Sequence, residues 1–234
     1  EMIWWLEFRR VLFRSMKKLV LSIIFLLGFS TASYATGSVG ITISSADIDS
    51  TVTDDIDSNG TTDTTKDISN GITFGSIFFE KALSDNMSVG VDFIPFEAEF
   101  ESRSTTQSSI KEKGSSTTSG TNKGTADVSK HLTFYIQPQK EIRDGLKVFG
   151  TLGLVKADVE SLVQSVSSTD KTVDQSLDGT KLGIGLKKET GFGFIKFEYS
   201  ETDYDDISTT TSNNTKVTAD IDTEILALSV ARNF

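Results

Sequence analysis

Beyond residue 36 the chain places apolar residues at every second position in eight separate short runs, and no part of that region is apolar enough to cross a bilayer as a helix. Period-two alternation means strands with one apolar face. The runs are Val39, Ile41, Ile43; a second within Gly71–Lys81; a third within Met87–Phe100 around Val89, Val91 and Phe93; and a fourth within His131–Gln139 around Leu132, Phe134 and Ile136. Four more follow: Leu146–Val155, Leu182–Leu186, Ile195–Tyr199 and Leu226–Phe234. The second run has mixed parity, with Ile72 and Phe74 out of step with Ile77 and Phe79, and predicts a bulge.

The connections alternate in length. Leu83–Asn86, Glu141–Gly145 and Glu189–Gly191 carry the Asp-Asn, Asp-Gly and Gly chemistry of tight turns. Asp49–Asn70, Glu101–Lys130, Glu160–Asp178 and Glu201–Thr218 are long and rich in Ser, Thr, Asp, Asn and Gly. Short turns on one side and long loops on the other are the topology of a transmembrane β-barrel. The expected fold is all-β: an eight-stranded antiparallel up-and-down barrel with three short periplasmic turns and four long extracellular loops. Only a closed ring satisfies every backbone group in lipid. A ring of eight is filled by its own side chains rather than by a wide pore. A soluble β-sandwich alternates in the same way but distributes loop length more evenly. Ten strands follow instead if Glu101–Lys130 hides a further hairpin.

The front of the chain has a different character. Leu6–Ser15 resembles the translation of a short-read sequencing adapter, so residues 1–15 are set aside as a scar. Met16 then opens a secretory leader, residues 16–35. Lys17 and Lys18 form its basic start, Leu19–Phe29 its apolar stretch, and Ser33 and Ala35 the small residues of a cleavage site near Ala35. The barrel domain is residues 36–234. It carries 31 acidic against 18 basic residues, a net charge of −13, which argues against nucleic acid as a partner. There is no cysteine, hence no disulfide framework.

Strand parity sends several charges to the inner face: Asp92 and Glu198 with Lys147, Lys181 and Lys196. Paired, they plug a narrow lumen; left mobile, they line an ion path. Asp55, Asp57, Asn59 and Asp63, with Gly60 among them, match the start of a calcium loop, where alternate oxygens wrap a hard cation. The twelfth position departs from that pattern, being Lys66 rather than Glu. Bound Ca²⁺ at the loops is the one cofactor the residues suggest.

The hairpin Phe79-Glu-Lys-Ala-Leu-Ser-Asp-Asn-Met-Ser-Val-Gly-Val-Asp92, the strand Gly193–Ser200 and the terminal Phe234 resemble the small bacterial outer-membrane β-barrel superfamily, the group of OmpA-type transmembrane domains and OmpX- and OmpW-like proteins. The resemblance spans the whole of residues 36–234. It implies residence in the outer membrane after leader cleavage, with lipid and lipopolysaccharide as neighbours. It also implies passage through periplasmic chaperones and the barrel-assembly machinery, with Phe234 as the assembly signal. Arg232 departs from the apolar residue usual at its position. Lipid A deacylases of this group use His-x-Ser, whereas the single histidine here stands in His131-Leu132-Thr133. The expected function is therefore non-enzymatic, structural in the envelope or interacting at the cell surface, for a monomer. The alternative is a narrow OmpW-like channel for small or apolar solutes.

Overall fold

The computed structural model describes residues 37–55, 60–95, 98–111, 117–165, 168–210 and 216–234. The adapter-like segment, the leader and its cleavage site lie outside the described residues. Nine strands run in chain order: β1 Gly37–Asp55, β2 Thr64–Ser84, β3 Met87–Phe93, β4 Ala98–Lys111, β5 Thr117–Arg143, β6 Leu146–Ser165, β7 Ser168–Glu189, β8 Gly193–Thr210 and β9 Lys216–Asn233. Apart from β3 and β4, neighbours in sequence pair antiparallel, β1 pairs with β9, and β3 pairs with β5 to close the ring. Strands β3 and β4 are two halves of one crossing, interrupted near Pro95, whose ring cannot donate to a ladder. The ring therefore has eight crossings. The hairpin inside Glu101–Lys130 does exist, formed by β4 and the first half of β5. It prolongs an existing pair of strands rather than adding two more.

The tight turns stand where Asp-Asn and Asp-Gly place them. Residues 85–86 join β2 to β3, and Asp144-Gly145, with φ of 27° and 71°, joins β5 to β6. Positive φ at both positions matches the right-handed twist of the flanking strands. The four long connections are hairpins whose arms stay paired far beyond the expected strand ends. β1 and β2, for example, remain in register from Gly37↔Lys81 to Asp54↔Thr64. Much of Asp49–Asn70, expected as loop, is barrel wall.

That register contains no shift, so the mixed parity of the second run is not a bulge. It has another cause. On β1, Val39, Ile41 and Ile43 face outward, whereas Ala46 and Ile48 face inward. On β2, Ile77 faces outward and Ile72 and Phe74 inward; on β6, Leu152 and Leu154 face outward and Val155, Ala157 and Val159 inward. Side-chain direction alternates without interruption in these pairs, but the apolar residues change sides. Low in the wall the outer solvent is lipid, and apolar side chains point out. Higher up the outer solvent is water, and the same kind of residue turns inward to make a dry core of Ile48, Val155, Leu177, Tyr204 and Ile221. From Ile43 to Asp55 the wall rises about 30 Å above the lipid edge, at roughly 3.3 Å per residue and roughly 40° of tilt.

Candidate functional site

The lumen is stratified. At the periplasmic end Phe78 and Phe194 stack in a tilted pair, ring centroids 6.1 Å apart. Beside them, two residues nearer the periplasmic turn than Phe78 on β2, Glu80 receives Lys187 at 2.8 Å and Lys196 at 2.7 Å, one ammonium on each carboxylate oxygen. Tyr135 donates a longer bond to Glu80, 3.4 Å. The ammonium of Lys187 lies 3.9 Å from the centre of the Phe194 ring, and that of Lys196 lies 4.5 Å from Phe78. Each cation is thus held between a carboxylate and an aromatic face.

The next layer joins Lys181 to Glu198 at 2.7 Å. The other oxygen of Glu198 accepts from Thr151 at 3.0 Å and from Gln137 at 3.2 Å. On the opposite wall Asp92 accepts from Ser76 at 2.8 Å. Between them lies a cavity of about 50 Å³, lined among others by Asp92, His131, Lys181 and Glu198. That is room for about one or two waters. His131 forms its roof, with Nε2 3.0 Å from the Tyr204 hydroxyl, and the dry core lies above. Its Nδ1 is buried without a protein partner.

Of the charges expected in the lumen, the structure places Asp92, Lys181, Lys196 and Glu198 in these layers, and Lys147 at the periplasmic rim with Glu189, 2.6 Å away. Glu80 and Lys187, the centre of the lower layer, escape sequence reading. Lys187 shares the parity of Lys181, a usable signal; Glu80 sits in the run whose parity is mixed. Three carboxylates, buried Glu80 and Glu198 and half-buried Asp92, face three ammoniums, Lys181, Lys187 and Lys196. The layers balance their own charge, as burial in a narrow space demands.

Of the calcium-like motif, Asp57 and Asn59 lie outside the described residues. Asp55 accepts the Gly60 N–H at 2.7 Å, and Gly60 takes φ of 87°, open to glycine because it has no Cβ. Among the described residues no three acidic or histidine side chains converge as metal ligands. Phe234 hydrogen-bonds the Gly37 carbonyl through its N–H at 2.9 Å and lies 6.1 Å from the Phe79 ring, at the seam where the first and last strands meet.

The outside of the wall completes the picture. An apolar band runs around it, including Ile41, Leu152, Leu182, Ile184, Phe197 and Leu228. A closed ring of eight antiparallel crossings, apolar outside and polar within, is suited to lipid and not to water. The chain is a small outer-membrane-type β-barrel. By sequence this barrel matches no known family profile and no curated protein. In fold it is similar to Ail, the attachment invasion locus protein of Yersinia pestis, at 14% identity over 83% of this chain and 98% of that one, TM-score 0.39. It is similar also to neisserial surface protein A, at 10% over 83% and 97%, TM-score 0.37. The outer membrane protease OmpT of Escherichia coli aligns at 8% over 87% and 98%, TM-score 0.47.

Above the band stands a collar of outward carboxylates. Asp47, Glu224 and Glu201 form one row across β1, β9 and β8, and Asp49, Asp222 and Asp203 form the next. The Tyr199 hydroxyl lies within hydrogen-bond distance of both Glu201 and Glu224, 2.9 and 3.1 Å. On the other side of the barrel, outward carboxylates have lysine partners: Lys130 with Asp158 at 2.7 Å and Lys156 with Asp178 at 2.5 Å.

Proposed function

We propose that this barrel is a non-conducting, non-enzymatic protein of the bacterial outer membrane, whose wall continues beyond the lipid as a rigid column presenting the hairpin ends to partners outside the cell. The change of apolar parity on β1, β2 and β6 carries this reading, because it supplies the protruding wall with a hydrophobic core of its own. A wall that only had to cross the membrane has no use for one. The neutral, ion-paired layers below that core support the closed state. Lipopolysaccharide is then the neighbour of the column, and Phe234 the residue read by the assembly machinery.

Planar-bilayer recording of the purified barrel tests the closed state. The expected record is flat. Reproducible single-channel steps would replace this reading with that of a narrow channel for small or apolar solutes. Lipid A from cells with and without the barrel is expected to carry the same acyl pattern; a changed pattern would make the protein an enzyme.

A further inference from the structure

The apolar band is notched on β6. On the outward row of β6, Leu146, Val148, Leu152 and Leu154 all carry large side chains, but Gly150, in their midst, carries none. Its neighbours are Ile184, directly opposite on β7, and Pro138 on β5. A groove of about 360 Å³ opens there. The fold does not require this glycine. A Cβ at Gly150 meets nothing nearer than the Gly183 carbonyl at 3.8 Å and the Pro138 ring at 3.9 Å, whereas inward glycines such as Gly90 and Gly185 leave no such room, with contacts of 2.3 and 2.4 Å. The space lies on the lipid side of the wall, where nothing from the protein fills it.

The periplasmic edge of this groove is cationic. Lys140 lines it, faces outward, and stands opposite Val148. Nearby lysines are engaged: Lys147 with Glu189, and Lys188 with the Asp144 carbonyl at 2.5 Å. Among the described residues Lys140 has no such partner. A lysine at the edge of a lipid band extends its stem along apolar surface and seeks an anion at headgroup level. At the other end of these same strands, Lys130 and Lys156 are already paired with Asp158 and Asp178, so the periplasmic edge of the groove is where an ammonium is offered to a phosphate.

We propose that this groove binds one anionic glycerophospholipid of the periplasmic leaflet. An acyl chain lies over Gly150 between Pro138 and Ile184, and the phosphate pairs with Lys140. The apolar floor takes any chain; the ammonium selects the net charge of the head.

The test is native mass spectrometry of the folded barrel released from detergent after incubation with phosphatidylglycerol or with phosphatidylcholine of identical chains. Wild type is expected to retain a single phosphatidylglycerol about fivefold better than phosphatidylcholine, the gain of one basic residue near an anionic head. Lys140→Gln should abolish that preference and leave phosphatidylcholine retention unchanged. Gly150→Leu should reduce retention of both lipids. Heat-modifiable migration checks that each variant is folded, and Gly150→Ala, whose methyl group has room, serves if the leucine does not fold. Equal retention of the two lipids by wild type, or identical retention by wild type and both variants, overturns the proposal. So does a dimer that Gly150→Leu converts to monomer, since the groove is then a seam between copies.

Discussion

Ile43 and Ile48 lie on one uninterrupted strand and point to opposite sides of its wall, Ile43 59% exposed and Ile48 4%. The odd-numbered positions continue outward past Ile43, but as Asp47 and Asp49. The outer edge of the lipid therefore lies between Ile43 and Asp47 on this strand.

Substitutions on the two sides of that edge should fail for different reasons. Ile184→Arg, in the lipid band, should cost about 2–4 kcal/mol in urea unfolding from vesicles. Ile48→Ala, in the dry core, should cost about 2–5 kcal/mol. Only the first should lose its effect when a charge-tolerant detergent replaces the bilayer. Identical behaviour in both media would place both residues in one environment and erase the edge.

The lower layer of the lumen should be the most sensitive to loss of one partner. Glu80→Gln leaves the Lys187 and Lys196 ammoniums buried without a carboxylate. The expected cost is about 3–5 kcal/mol. Replacing both lysines by methionine in the same chain should restore most of it, because the charge is removed together with its partner. A Glu80→Gln barrel with wild-type unfolding would show that this layer is solvated rather than closed.

The collar predicts the pH response of the column. Partial burial, followed by the neighbouring Asp220, Asp203, Asp49 and Glu201, raises Asp222 above the ordinary carboxylate range. A carboxyl raised on folding binds its proton more tightly in the folded state. Its repulsion therefore weakens the column as pH rises through the raised value and is relieved as pH falls through it. Amide exchange in the outer parts of β8, β9 and β1, corrected for intrinsic rate, should slow on mild acidification from neutral pH. Asp222→Asn should flatten that dependence. Protection that decreases on acidification in both proteins would rule out carboxylate repulsion as the controlling force.

Deletion of Phe234 should lower the amount of heat-modifiable barrel in the membrane, since its ring and N–H close the seam against Phe79 and Gly37. Phe234→Tyr, which preserves the ring, should assemble nearly as well. Equal assembly of the deletion would remove both the signal and the seam contact from the account.

Several features could be read directly from residues. Alternation around Val39–Ile43 and Leu182–Leu186, the Asp144-Gly145 turn and the unequal connections specify crossings, turn positions and a closed ring, because each is a local property of the backbone. The height of the wall could not be read in this way. Polar, Thr- and Ser-rich stretches such as Asp49–Asn70 look like loop until their partner strand supplies the ladder. Nor could the mixed parity of Gly71–Lys81 be assigned, since a period of two marks two faces without naming the solvent on either. The ion pairs of Glu80 join residues 107 and 116 positions apart, Lys187 and Lys196. Sequence alone determined the barrel architecture; whether it has eight crossings or ten was decided by how the Glu101–Lys130 hairpin pairs. The tertiary structure decided which side of the wall each apolar residue takes at each height, because that choice depends on whether lipid or water lies outside, and ring closure sets the height of every residue.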